Sequence, residues 1–67
     1  MFKFSDIRIG DILINNKMED EFKVLAIRIC ENAYYLCIRS LKTKKKYFVR
    51  TRKDDEAKFG LTKIVHA

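Results

Sequence analysis

A chain of 67 residues with 15 basic and nine acidic side chains, 48% apolar, is one small domain (1–67) near the lower limit of independent folding. That apolar share is too high for a disordered tail, and no proline and only two glycines leave no linker or low-complexity tract. The longest uncharged run, Asn32–Ile38, is far short of the roughly 20 residues of a membrane span, and Lys3, Asp6, Arg8 and Asp11 interrupt any secretory signal, so a soluble, cytoplasmic protein is expected.

Phe4 and Ile7 are spaced for one short helical or 3₁₀ turn, with Ser5 or Asp6 as its cap. Gly10–Asp11 is a turn signal that leads into a short strand, Ile12–Ile14, closed by Asn15–Asn16. Lys17–Glu21 is polar, lacks a buried period and reads as a loop. Phe22–Cys30 is the strongest strand: Leu25, Ile27 and Ile29 alternate with Val24, Ala26 and Arg28, and Glu31–Asn32 follows as a turn. A helix there is disfavoured, because the apolar residues recur at period two on both faces. Tyr34–Leu41 repeats the pattern, with Leu36 and Ile38 on one face and Tyr35, Cys37 and Arg39 on the other. After a polar turn at Lys42–Lys45, the strand Lys46–Arg52 sets Tyr47, Val49 and Thr51 against Lys46, Phe48, Arg50 and Arg52. Asp54–Phe59 fits one capped helical turn ended by Gly60, and Leu61–Val65 a last short strand.

Five short strands cannot bury the apolar face of a flat sheet without a second layer. The expected fold is therefore mainly β, a single small five-stranded barrel or strongly curled antiparallel sheet with one or two short helical turns. Its core is expected at Ile12 or Leu13, Leu25, Ile27, Ile29, Leu36, Ile38, Tyr47, Val49, Leu61 and Ile64, with Phe4 or Ile7 closing one end. The element order, with one helical turn before the last strand, resembles that of the SH3-like small barrels, which include the KOW and Tudor-type modules. The resemblance implies a barrel and fixes no function. The acidic and aromatic groove residues of a peptide-binding SH3 domain have no counterpart here.

All of the excess charge lies in Arg39–Lys53, which holds Arg39, Lys42, Lys44, Lys45, Lys46, Arg50, Arg52 and Lys53 and no acidic residue. The parts before and after it each carry a net charge of −1. The segment reads as a basic hairpin with Phe48 among its outward cations and Tyr35 on the preceding strand. Such cations attract phosphates through counterion release, and an exposed aromatic ring among them can stack on an unpaired base. No Arg and Asn/Gln set is arranged for base readout, so a non-catalytic nucleic-acid-binding module of low sequence specificity is the leading expectation. The alternative is a small interaction or inhibitor protein docking on an acidic surface of a larger host enzyme. Ten lysines to five arginines and eight isoleucines suit an AT-rich bacteriophage or bacterial genome. The bland readings are that the cations serve solubility and protect an edge strand, that Phe48 is covered by Phe2–Phe4, and that Tyr34 and Tyr35 fill a barrel end.

Catalysis is not expected, because His66 is the only histidine and no nucleophile–base–orienter set can be assembled. Asp54, Asp55 and Glu56 suit a helix N-terminus. No cofactor, metal, membrane or small-molecule partner is expected. Cys30 and Cys37 would face each other if the hairpin turned near Ala33–Tyr34, and in a reducing cytosol they are expected as two half-buried thiols.

Overall fold

Alternation in the middle of the chain becomes one antiparallel sheet. A computed structural model of the protein describes residues 3–52 and 61–67. Its strands are β1 (Ile12–Asn15), β2 (Asp20–Cys30), β3 (Ala33–Ser40), β4 (Lys46–Arg52) and β5 (Leu61–Val65), in the order β4-β3-β2-β1-β5. Every neighbouring pair is antiparallel, and β4 and β5 form the two edges without pairing to each other. Of the two expected arrangements, the open sheet is the one found. Among the described residues no helix is long and apolar enough to cross a membrane. The expected turn at Asp54–Phe59, with its Gly60 stop, lies outside the described residues, as do Phe2 and Lys53.

The expected N-terminal turn is a 3₁₀ turn at Phe4–Asp6. The Lys3 N–H donates to Asp6 Oδ2 at 3.1 Å and the Asp6 N–H returns to the Lys3 carbonyl at 2.9 Å. The turn carries Phe4 into the core, and Ile7 follows it. Lys17–Glu21 is not all loop. Asn15 Oδ1 accepts the Met18 N–H at 2.9 Å and Glu19 takes a left-handed φ of 51°, so the chain reverses within residues 16–19. Asp20 and Glu21 already pair with Asn15 and Ile14.

Two irregularities bend the sheet. Between Val24 and Ala26 the pairing of β2 with β3 slips, which makes Leu25 the extra residue of a β-bulge. The slip reverses the pleat: Phe22 and Val24 face the core before it, and Ile27 after it. A second slip, between Ile14 and Asn15 against β5, leaves Thr62 unpaired, and its hydroxyl donates to the Ile14 carbonyl at 3.4 Å. The bending brings the edges toward each other on the core side. Tyr47 of β4 and Leu61 of β5 line one apolar cavity of about 400 Å³ together with Phe22, Ile38 and Met18.

The core is Phe4, Ile7, Leu13, Phe22, Val24, Leu36, Ile38 and Leu61, with Ile27, Val49 and Ile64 partly buried against it. Three expected core positions are corrected. Leu25 is the bulge residue and stays outside the core, and Ile29 pairs with Tyr34 near the hairpin tip, where it is 59% exposed. Tyr47 faces inward, its ring edge-on to Phe22 at 5.9 Å, but on an edge strand it remains 43% exposed. Phe22 and Val24 take the places that a single unbroken alternation assigns to Leu25 and Ile29.

Buried Asp11 joins the chain's two end segments. Its carboxylate accepts N–H groups from Arg8 (2.8 Å) and Ala67 (3.2 Å) and lies 3.0 Å from His66 Nδ1. Burial pushes the Asp11 carboxyl up, but the Arg8 and Ala67 donors and the His66 ring outweigh it, so the group sits below the ordinary aspartate range. The Asp11 carbonyl and the Gly10 N–H both bond to Val24, each at 2.9 Å, extending the β1–β2 ladder by two residues.

Candidate functional site

The registers of β2, β3 and β4 decide which side chains share the outer face. The β2–β3 turn is Glu31–Asn32, so Cys30 lies opposite Ala33 and Arg28 opposite Tyr35. The β3–β4 register sets Tyr35 against Arg50, Cys37 against Phe48 and Arg39 against Lys46. Four outward rows result: Lys23–Arg39–Lys46, Ala26–Cys37–Phe48, Arg28–Tyr35–Arg50 and Cys30–Ala33–Arg52. The Cβ atoms of directly opposed residues lie about 5 Å apart, so the residues of each row are neighbours across the three strands.

Six cations therefore surround two aromatic rings. The rows contain no carboxylate, and among the described residues Lys23, Arg28, Arg39, Lys46 and Arg50 make no ion pair. Glu31 lies beyond the rows in the turn after β2, and Glu21, exposed two residues before Lys23, is on the outer side next to the first row. The Arg50 guanidinium stands over the Tyr35 ring, 5.8 Å from its centre. Phe48 is 83% exposed. The small side chains Ala26 and Cys37 beside it leave a shallow depression of about 590 Å³, walled by Phe48, Tyr35, Arg28 and Arg50.

The lysine turn is fixed from below. Ser40, fully buried at the end of β3, accepts the N–H groups of Lys42 (3.2 Å) and Thr43 (3.0 Å) on its hydroxyl oxygen and donates to Asp20 Oδ2 at 2.6 Å. The Ser40 hydrogen bond holds the Asp20 carboxyl below its ordinary range against the opposing effect of burial. The N–H groups of Glu21 and Lys42 and the Lys42 charge assist. Lys44 adopts a left-handed φ of 66°, with its N–H on the Ser40 carbonyl at 2.9 Å. Lys42, Lys44 and Lys45 are thus held, exposed, at one end of the rows.

Of the expected site residues, Tyr35, Arg39, Lys46, Phe48, Arg50 and Arg52 come together on the outer face, with the three turn lysines at its margin. Lys53 lies outside the described residues. Tyr34 is on the other face, half-buried opposite Thr51, so it adds no second stacking surface. Lys23 and Arg28 complete the face and are missing from the sequence expectation. Arg28 was legible in the alternation of β2, and the Glu31–Asn32 turn sets it opposite Tyr35. Cys30 and Cys37 are not partners: Cys30 faces Ala33, Cys37 faces Ala26, and both are free, Cys30 exposed and Cys37 half-buried.

No protein-family model, curated protein or solved structure matches the chain.

Proposed function

We propose that this protein is a cytoplasmic, non-catalytic module that binds nucleic acid with low sequence specificity through the outer face of β2, β3 and β4. One observation carries the reading. Cations from three strands share a single face whose rows hold no carboxylate, and that is the charge distribution a phosphate backbone requires. Several contacts of this kind give affinity that falls steeply with salt. The face lacks an amide side chain for bidentate readout of adenine, in keeping with low base discrimination. Replacing Arg28, Lys46 or Arg50 singly by alanine is expected to weaken binding to oligonucleotides of unrelated sequence by similar factors. Each variant should also lower the slope of log affinity against log salt by about 0.7–0.9. Fluorescence anisotropy titrations across salt concentrations measure both. Slopes equal to the wild-type slope would overturn the assignment of these residues.

A second reading, a small interaction protein seated on an acidic surface of a larger partner, is favoured by the exposure of Phe48 alone. In that case Phe48 acts as the dominant anchor and the cations set mainly the association rate.

A further inference from the structure

We infer that the nucleic acid this face accepts is single-stranded, with an unpaired base lying in the depression against Phe48 and a neighbouring base against the Tyr35–Arg50 pair. The inference rests on the nucleic-acid reading and adds strandedness and the mode of contact. A duplex offers phosphates and groove edges to a protein, while the faces of its bases are stacked on each other. Charge alone would bind either form. The outer face holds more than charge: a phenylalanine ring 83% exposed lies between the basic rows instead of in the core.

The rings are placed for a strand that crosses the sheet. Phe48 pairs with Cys37, and Tyr35 is two residues along β3, so the two residues are diagonal cross-strand neighbours, their backbone positions roughly 7–8 Å apart. Ala26 and Cys37 leave open the ground beside Phe48 that larger residues would fill. Lys46 and Arg39 lie on one side of the Phe48 row and Arg28 and Arg50 on the other, within reach of the phosphates that flank a stacked base. The Arg50 guanidinium over Tyr35 presents a flat cationic surface of its own. A duplex groove suits this face poorly. The major groove, about 12 Å wide, admits a helix or a two-stranded ribbon, whereas the cations here are spread over three strands of a continuous sheet.

The test uses the full chain with fluorescein-labelled oligonucleotides of about 12 nucleotides: oligo-dT, oligo-rU and a mixed-sequence duplex of equal length, at about 50 and 200 mM salt. Wild-type protein is expected to bind both single strands more tightly than the duplex at both salt concentrations. Phe48→Ala should weaken single-strand binding about 5- to 150-fold, the equivalent of one stacked base, with an unchanged salt slope. Its effect on the duplex should be small. Because Phe48 is exposed, the variant keeps the core intact, and circular dichroism checks this. Tyr35→Phe, which keeps the ring, should bind like wild type. Duplex binding equal to or tighter than single-strand binding, or Phe48→Ala binding single strands as wild type does, would overturn the single-strand inference and leave phosphate binding standing. Absence of binding to all three probes at the lower salt would overturn the nucleic-acid reading itself, and this inference with it.

Discussion

The basic turn depends on one buried hydroxyl. Ser40 donates to Asp20 and receives the N–H groups of Lys42 and Thr43, so the lysines are presented by a buried pair of residues. Ser40→Ala should leave a buried carboxylate oxygen and two backbone donors without that partner. The expected result is a thermal midpoint lower by at least about 4–8 °C, read by circular dichroism. The same carboxylate gives a pH dependence with a definite sign. Asp11 and Asp20 both have native pKa values below the ordinary one, so the native state binds fewer protons than the unfolded chain between the two values. The stability they contribute is complete above the ordinary value and is lost as pH falls through the depressed one. Urea midpoints should therefore fall as pH is lowered below about 4, and Ser40→Ala should flatten that decline. A midpoint that rises on acidification would contradict these assignments.

At the scale of elements, β2, β3 and β4 were legible from alternation and β1 and β5 as short segments after turn residues, and the faces of β3 and β4 followed directly, since neither strand has a bulge in its mutual pairing. β2 was legible as a strand but not in its phase. A bulge exists only in relation to a partner strand, and nothing in FKVLAIRIC marks Leu25 as the residue that pairs with no one. The Gly10–Asp11 turn was legible because Gly10 has one local reason to be there. Its φ of 94° lies where side-chain-bearing residues are strained, and its N–H must reach Val24. A Cβ at this position would meet only Ala67 Cβ at an ordinary 3.5 Å, so the cost of Gly10→Ala is one of backbone conformation. The substitution should cost about 1–2 kcal/mol. It should appear as a lower urea midpoint with an unchanged denaturant slope.

For the molecule as a whole, the open sheet separates two kinds of surface. The core side gathers the apolar residues, with Phe4 and Ile7 over them, and the outer side of β2, β3 and β4 gathers the charge. Counting charges along the chain found the β3–β4 half of that surface. That count passed over Lys23 and Arg28 because the first 38 residues are acidic by one unit overall; Arg28 was legible in the alternation of β2, and only pairing joins both to the β3–β4 cations. The position of one turn controlled the outcome: centred at Ala33–Tyr34 it would join the two cysteines, and at Glu31–Asn32 it joins Arg28 to Tyr35 and Arg50.

The central claim, that this one face receives nucleic acid, is tested most directly by mapping amide chemical shifts of isotopically labelled protein as a single-stranded oligonucleotide is added at low salt. The account predicts perturbations concentrated at Lys23, Arg28, Tyr35, Cys37, Arg39, Lys46, Phe48 and Arg50 and along the lysine turn, with β1 and β5 unaffected. Unchanged spectra at low salt, or perturbations confined to β1, β5 and the core-side residues Phe22, Ile38 and Leu61, would contradict it.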